Sequence, residues 1–251
     1  MASPPSLSLR LAMLADLVLP DAPCADVGTD HGQLAAALVL DGRVPTVIAT
    51  DRGERPLAGA RARMQERWRT RRAVTLRLGD GLAPVKPGEV ATIVLAGMGG
   101  DRIVRILDAH PQVVAATSRL VLQPNTEAAA VRAWTVARRH RLEEERIVSD
   151  QGRWYVALAV GPTGRQPDLG WDRWDLAWGP LLRQRHDPGL RRFLGAELPR
   201  VAQALARAQA GGAAPDALAA LTHDLHAIED ELARLAMAPG GLHGRGAAAP
   251  R

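Results

Sequence analysis

The chain has 251 residues, 47% of them hydrophobic, and carries a formal net charge of +5. This length is enough for one packed α/β domain and a smaller appendage. A single cysteine, Cys24, excludes an intrachain disulfide framework and a cysteine-based metal site, and no apolar run approaches the roughly 20 residues of a membrane span.

The first 162 residues alternate predicted helices and strands. Leu11, Leu14 and Val18 recur at helical spacing behind Ser6 or Ser8, which predicts a helix over 6–19 with a serine N-cap. In chain order, the apolar runs and breaks then predict strand 24–27, helix 33–40, strand 46–50, helix 55–69, strands 74–78 and 90–95, helix 102–109, strand 119–122, helix 126–139 and a hairpin of strands 142–148 and 154–160.

The predicted central strands each end in a turn rich in Gly, Asp or Asn. Alternating strands and helices predict an α/β fold, with a doubly wound, mostly parallel Rossmann-like sheet covered on both faces. Ligands bind such sheets at the carboxyl ends of the strands. We therefore expect the ligand site at this edge, where all of the special turns lie.

The residues after 162 predict helices alone. Two apolar segments, separated by Gly211, Gly212 and Pro215, follow the spacing of a heptad seam and predict a C-terminal antiparallel helical hairpin, or coiled coil. The predicted domains are 1–162 for the sheet and 163–238 for the hairpin, and 239–251 is expected to be a disordered tail. The seam residues are Leu190, Leu194, Leu198, Val201, Leu205 and Ala208, then Leu218, Leu221, Leu225, Ile228, Leu232 and Leu235.

The turn after the first strand is unusual because it is acidic. Gly28 lets the backbone turn tightly and approach a ligand, and the next helix offers unpaired N–H groups. Turns that hold a pyrophosphate use glycines, whereas Asp30 would repel a phosphate. The turn therefore favours a ligand that is not a phosphate and that carries positive charge. An alternative interpretation is that Asp30 is the N-cap of the helix that begins near Gln33.

Seven arginines fall within seventeen positions of the predicted sheet domain. One interpretation is a solvated helix face, and the other is a surface that binds a polyanion and releases its counterions. The residues are Arg61, Arg63, Arg67, Arg69, Arg71, Arg72 and Arg77.

Several motifs occur together in a fixed order along the chain. They are Leu7-Ser8-Leu9-Arg10-Leu11, Asp26-Val27-Gly28-Thr29-Asp30-His31-Gly32, Arg77-Leu78-Gly79-Asp80-Gly81-Leu82, Ala96-Gly97-Met98-Gly99-Gly100, Leu122-Gln123-Pro124-Asn125 and Gly179-Pro180-Leu181-Leu182. On these motifs the chain resembles S-adenosylmethionine-dependent methyltransferases. It is most similar to the TrmK family of bacterial tRNA methyltransferases, which modify N1 of the adenine at position 22, and the resemblance covers nearly the whole chain.

The resemblance implies S-adenosyl-L-methionine as the cofactor and tRNA as the partner. Asp26 fits the positively charged methionine end, Asp51 the two ribose hydroxyls, and Asp80 the adenine amino group. A turn residue is the alternative role for each of these acids. The implied cofactor-binding residues are Asp26, Gly28, Gly32, Asp51, Asp80, Gly81 and Gly97.

The implied catalytic residues are Asp30, His31 and Asn125. Asp30 would stabilise the charge that develops on the methylated base or accept its amino proton. His31 would orient Asp30 or the base, and a purely structural role is its alternative. Asn125 would offer a donor and an acceptor to the adenine edge. The implied substrate-binding residues are Arg10, Met98, Gly99, Gln123 and Pro124, with room beside Met98 for a flipped base.

Two other patterns bear on the substrate. Amino-group methyltransferases usually carry an Asn/Asp-Pro-Pro-aromatic turn after the fourth strand, and its absence here favours a ring nitrogen. The chain also departs from the family, because Gln33 stands where an aromatic residue is frequent and Lys86 is its only lysine. Phosphate contacts would therefore come from arginines.

Three alternatives compete with this function. One is an RNA-binding protein that has lost catalysis, and another is a methyltransferase that acts on a different RNA base. A nicotinamide enzyme is disfavoured by Asp30. We expect a cytoplasmic monomer or weak homodimer without a metal. Association with a membrane is not expected, because the apolar stretch 11–19 is too short for a membrane span and contains Asp16.

Overall fold

The computed structural model describes residues 4–70, 72–163 and 170–237. The elements in chain order are α1 (Leu9–Leu17), β1 (Cys24–Val27), α2 (Gln33–Leu40), β2 (Val47–Asp51), α3 (Glu54–Glu66), β3 (Val74–Leu78), β4 (Thr92–Gly99), α4 (Gly100–Ala109), α5 (Pro111–Ala115), β5 (Arg119–Thr126), α6 (Ala128–Ala137), β6 (His140–Asp150), β7 (Arg153–Thr163), α7 (Arg173–Trp178), α8 (Pro180–Gln184), α9 (Pro188–Ala210) and α10 (Pro215–Ala236). Strands and helices alternate from α1 to β3, and β4 then follows β3 without a helix between them, as predicted.

The strands form one seven-stranded sheet in the order β3-β2-β1-β4-β5-β7-β6. The first five strands run parallel, and β7 lies antiparallel to both β5 and β6. Buried apolar side chains cover both faces, with Leu14 and Leu38 in one cluster and Ile93 and Ile103 in the other. The predicted doubly wound, mostly parallel sheet is confirmed.

The strand order reverses between β1 and β4. Helices leave these two strands on opposite faces of the sheet, which opens a crevice at their carboxyl ends. Val27 at the end of β1 lies beside Thr50 of β2 and Leu95 of β4. The acidic turn after β1 therefore lies at the centre of the edge where a ligand is expected.

Two of the parallel strands continue beyond their predicted ends. β4 and β5 were expected to end at 95 and 122, but they continue to Gly99 and Thr126. The register shifts between Ala96 and Met98, and Gly97 has a φ of +77°. Because a left-handed glycine absorbs this irregularity, pairing resumes after residues that are typical of turns.

The chain divides into two compact units, Met1–Leu182 and Arg183–Arg251. The boundary predicted at 162 lies earlier in the chain, because α7 and the start of α8, which were not predicted, pack in the first unit. Arg132 donates to the carbonyls of Leu176 and Ala177 (2.8 and 3.1 Å), and the carboxylate of Glu145 accepts the N–H of Leu181.

The second unit contains the predicted pair of long helices. α9 ends at the Gly211 C-cap, and α10 starts with Pro215 in its first turn, where a missing N–H costs no hydrogen bond. The tail predicted for 239–251 lies outside the described residues. Within the described ranges, none of the helices is both long and apolar enough to cross a membrane.

Candidate active site

A cleft of about 190 Å³ opens at the carboxyl ends of the central strands. A larger cavity of about 290 Å³, lined by Leu107, Trp134 and His140 among others, contains none of the acidic strand ends, so the smaller cleft is the candidate site. Its walls are formed by Val27, Gly28, Thr50, Asp51, Arg52, Gly79, Asp80, Gly81, Ala96, Gly97, Met98, Arg102 and Ile106.

Asp26, next to the last residue of β1, is a buried acid. The hydroxyl of Thr29 donates to its Oδ2 at 2.6 Å. Burial raises the pKa of Asp26 to about 6; the nearby Asp51 also raises it, while the Thr29 hydrogen bond and Arg10 lower it. A positively charged ligand group would stabilise the ionised form of this carboxylate.

Asp51 and Asp80 form the acidic wall of the cleft. Oδ1 of Asp51 accepts the N–H of Gly53 at 2.8 Å, and its Oδ2 accepts the N–H of Asp30 at 3.3 Å. The Asp80 side chain is 77% exposed, with Oδ1 3.6 Å from the guanidinium of Arg102. Since a carboxylate has about four acceptor positions, both acids can accept further hydrogen bonds.

The loop after β1 holds three residues in the left-handed region, Gly28, Asp30 and Gly32, with φ values of +76°, +50° and +71°. Gly32 is the N-cap of α2 and has no side chain to cap it, and the backbone N–H of Ala35 in the first turn donates to the carboxylate of Asp26. The alternative that Asp30 caps the helix is therefore wrong. Its carboxylate is 67% exposed. Gly32 is buried, and a Cβ there would lie 2.5 Å from Cε of Met64.

His31 lies between Asp30 and an arginine that the sequence did not single out. Nη1 of Arg63 lies 2.9 Å from Nδ1 of His31. A guanidinium only donates, so Nδ1 accepts and the ring proton of a neutral His31 is on Nε2. Nε2 lies 3.6 Å from Oδ2 of Asp30. The sequence could not identify Arg63, because it is one of seven arginines in a run.

Four predicted residues meet at the end of β5. Oε1 of Gln123 accepts from Nη1 of Arg10 at 3.0 Å and from the N–H of Gly97 at 3.2 Å. Its Nε2 donates to Oδ1 of Asn125 at 3.0 Å. Gln123 is fully buried, whereas Asn125 is exposed. The guanidinium of Arg10 also stacks over the ring of Tyr155, which the sequence did not predict.

The remaining predicted residues are brought to the same edge. Met98 lines the cleft and pairs in the sheet with Pro124, which is buried. At the next position, Gly99, any larger residue would place its Cβ 3.3 Å from the side chains of Thr126 and Glu127, so a side chain there would crowd them. Gly81, with a φ of +54°, lies close to Ile106 in the cleft wall.

The arginines of the predicted basic segment divide into two groups. Arg63 contacts His31, and Arg77 forms a two-pronged ion pair with Glu89 at 2.6 and 2.8 Å. Arg71 lies outside the described residues. Within the described part of the chain, six exposed arginines in and around α3 form no ion pair: Arg52, Arg55, Arg61, Arg67, Arg69 and Arg72.

The comparison with known proteins points to one family. Residues 7–158 match the family described as a methyltransferase domain. The tRNA (adenine(22)-N(1))-methyltransferase of Bacillus subtilis is 34% identical over 176 residues, which cover 70% of this chain and 73% of that protein.

Two solved structures agree with the sequence matches. The crystal structure of the Bacillus subtilis m1A22 tRNA methyltransferase TrmK has a TM-score of 0.73 at 26% identity, covering 92% of this chain and 97% of that one. The Streptococcus pneumoniae protein Sp1610, solved in complex with S-adenosyl-L-methionine, has a TM-score of 0.80 at 28% identity, covering 90% and 100%.

A metal centre was not expected. Across the described ranges, no group of three or more His, Cys, Asp or Glu side chains is placed to hold a metal ion.

Proposed function

Because the chain belongs to the TrmK family of tRNA (adenine-22 N1)-methyltransferases, we propose specific roles for its site residues in the reaction of that family. The enzyme uses S-adenosyl-L-methionine to methylate N1 of adenine 22 in tRNA. The observation that carries these roles is a cleft bordered by glycine backbone and lined by Asp51 and Asp80, with the buried carboxylate of Asp26 on the neighbouring strand β1.

The residues of the cleft fit S-adenosyl-L-methionine. This cofactor has no phosphate, and it offers a sulfonium, an amino group, a ribose diol and an adenine ring. We propose that Asp26 stabilises the positively charged methionine end beneath Gly28, that Asp51 accepts from the ribose hydroxyls, and that Asp80 accepts from the adenine amino group. Gly97 and Gly81 let the backbone approach closely, and Gly32 allows the loop to pack on α3. When bound, the cofactor supplies the methyl group as an electrophilic carbon on sulfur.

Asp30 is proposed to act on the target base. Adenine N1 has a lone pair and attacks the methyl carbon without first losing a proton; the new N–C bond forms as the S–C electron pair returns to sulfur. The ring then carries positive charge shared with the exocyclic nitrogen. The Asp30 carboxylate stabilises that charge or accepts the amino proton.

The surroundings of Asp30 hold its carboxylate in place and leave it open to a ligand. Its backbone is fixed in the left-handed region by the hydrogen bond to Asp51. Arg63 keeps the proton of neutral His31 on Nε2, the nitrogen that faces Asp30. We propose that His31 orients the carboxylate by electrostatic attraction from this N–H, because 3.6 Å is longer than a hydrogen bond.

The six unpaired arginines are proposed to contact tRNA phosphates, since the forked donors of a guanidinium match phosphate oxygens. The helical hairpin is proposed to grip the folded tRNA. We expect the enzyme to act in the cytoplasm as a monomer or weak homodimer, without a metal.

One assay tests this proposal. The protein is incubated with labelled S-adenosyl-L-methionine and unmodified tRNA, which is then digested, and we expect labelled N1-methyladenosine. No N1-methyladenosine across several tRNAs would exclude the activity and leave an RNA-binding protein or a methyltransferase acting on another base.

The same assay tests Asp30. Asp30→Asn should bind the cofactor normally and reduce kcat by roughly 100-fold, because the amide cannot stabilise the developing charge or accept a proton. Asp41→Asn, at the other end of α2, is the matched control and should leave kcat unchanged. Full turnover by Asp30→Asn would remove Asp30 from the mechanism.

A further inference from the structure

Gln123 is a polar side chain buried directly beneath the proposed base site. It lies in the buried part of β5, while Asn125, two residues later, is exposed at the carboxyl edge. Each of its side-chain hydrogen bonds joins it to a residue that borders the site: Arg10, Gly97 or Asn125. Because it is fully buried, Gln123 affects a substrate only through these neighbours.

The orientation of the Gln123 amide is fixed by its partners. The guanidinium of Arg10 and the backbone N–H of Gly97 can only donate. Both approach the same atom, at 3.0 and 3.2 Å, so that atom is the carbonyl oxygen. The NH₂ group therefore faces Asn125.

The orientation of Asn125 follows from that of Gln123. The NH₂ group of Gln123 lies 3.0 Å from the Asn125 amide and requires an acceptor there, which is Oδ1. A flipped Asn125 would place two NH₂ groups against each other and leave a buried donor unsatisfied. Nδ2 of Asn125 is therefore the end of the amide that remains for a ligand, as a hydrogen-bond donor.

We propose that Gln123 is a positioning residue that holds Asn125 as a hydrogen-bond donor toward the target adenine. This inference rests on the proposed function. Asn125 lies near the carboxyl end of β5, and Asp30 lies in the loop after β1. Only β4 lies between these two strands, so the strands that carry the two residues are about 10 Å apart, a spacing that leaves room for a purine at this edge. Asp30 takes the amino group, and Asn125 donates to a ring nitrogen other than N1.

Two substitutions separate this role from a merely structural one. Gln123→Glu keeps an acceptor for Arg10 and Gly97 but presents a second acceptor to Asn125, which turns the Asn125 amide over. Gln123→Met removes all three hydrogen bonds and leaves Asn125 free to adopt either orientation. If Gln123 only supports the fold, Gln123→Met is the more damaging change, because it leaves buried donors unpaired. If Gln123 positions Asn125, Gln123→Glu is the more damaging one.

The experiment measures kcat/KM on tRNA that carries adenosine, 7-deazaadenosine or 3-deazaadenosine at the target position. We expect wild type to methylate one analogue roughly two- to tenfold more slowly than adenosine. On tRNA that carries adenosine, Gln123→Glu should lower kcat/KM by roughly 10- to 100-fold, and Gln123→Met should lower it by less. Gln123→Glu should also lose its preference for adenosine over that analogue. Cofactor affinity should be unchanged in both variants.

Three results would overturn the inference. In one, wild type methylates both analogues as fast as adenosine, and in another Gln123→Glu is more active than Gln123→Met. The third is that Gln123→Glu retains the wild-type preference between adenosine and its analogues. If the wild-type enzyme does not methylate tRNA that carries adenosine, the result is a different one, because it overturns the proposed function.

Discussion

The first unit holds its charges in two different ways. Between α6 and β6, Arg132 and Glu145 are fully buried, joined at 2.7 Å. At the carboxyl edge, Asp30 and Asp80 are 67% and 77% exposed, and the nearest basic groups, His31 and Arg102, each lie 3.6 Å away, beyond hydrogen-bond distance. A charge whose partner lies within the protein supports the fold, whereas a charge without a close partner is available to a ligand.

The arginines divide in the same way. Arg77 holds Glu89 so tightly that their hydrogen bonds lower the pKa of Glu89 to about 2. Arg119 donates to Glu143 at 2.8 Å. The six arginines in and around α3, by contrast, are exposed and form no ion pair within the described residues. Arginine content alone therefore does not identify a polyanion surface, because pairing decides which arginines are free to bind.

The largest expected effect comes from breaking the buried pair. Arg132→Met leaves the Glu145 carboxylate buried without its cation and removes the bonds to the carbonyls of Leu176 and Ala177. We expect the free energy of unfolding to fall by about 3–5 kcal/mol, measured by urea denaturation.

The matched control for the buried pair is the double variant Arg132→Met/Glu145→Met. It removes both charges, so it should be more stable than the single variant. If the single variant were as stable as wild type, the pair would not support the fold, and the contrast with the open edge would fail.

Asp26 is the exception to this division, since it is a buried acid at the open edge without a cation at bonding distance. Burial raises its pKa to about 6, so S-adenosyl-L-methionine should bind up to tenfold more weakly for each pH unit below 6. Asp26→Asn should weaken cofactor binding and, without cofactor at pH 8, stabilise the fold by up to about 3 kcal/mol. Calorimetric titration across pH and thermal melts measure these two effects.

The hydroxyl of Thr29 provides the control for Asp26. Its hydrogen bond lowers the pKa of Asp26, so Thr29→Val should move the pH midpoint of cofactor binding upward. The folded state retains the Asp26 proton to higher pH than the unfolded state does, so the contribution of Asp26 to stability is greatest below pH 3.8 and declines as the pH rises through about 6. A binding curve that is flat between pH 5 and 8 would contradict this role for Asp26.

The parts of the fold that the sequence predicts well are those set by local pattern. Periodicity places the strands and helices, and the glycine-rich and acidic turns mark the edge where the site lies. A local pattern also suggested that Asp30 caps α2, and this was wrong because Gly32 fills that position.

What the sequence could not predict depends on contacts between distant residues. Three contacts join segments that are far apart in the sequence. They are the pairing of β4 with β5 beyond Gly97, the hydrogen bonds from Arg132 to the end of α7, and the hydrogen bond from Arg10 to Gln123. Such contacts follow from the packed sheet, so no local motif contains them. The proposed donor role of Asn125 required the structure for this reason.

The smallest effect per residue is expected at the unpaired arginines. Changing Arg61, Arg67 and Arg69 together to Gln should weaken tRNA binding and reduce the slope of log affinity against log salt by up to about 0.9 for each phosphate that is no longer neutralised. The control changes Arg138, Arg141 and Arg146 to Gln, which removes the same charge from arginines already paired with carboxylates. Fluorescence titrations from low to high salt compare the two triple variants. If both lowered the slope equally, net charge would explain the binding; a change confined to the first triple would locate the phosphate-binding surface at the unpaired arginines.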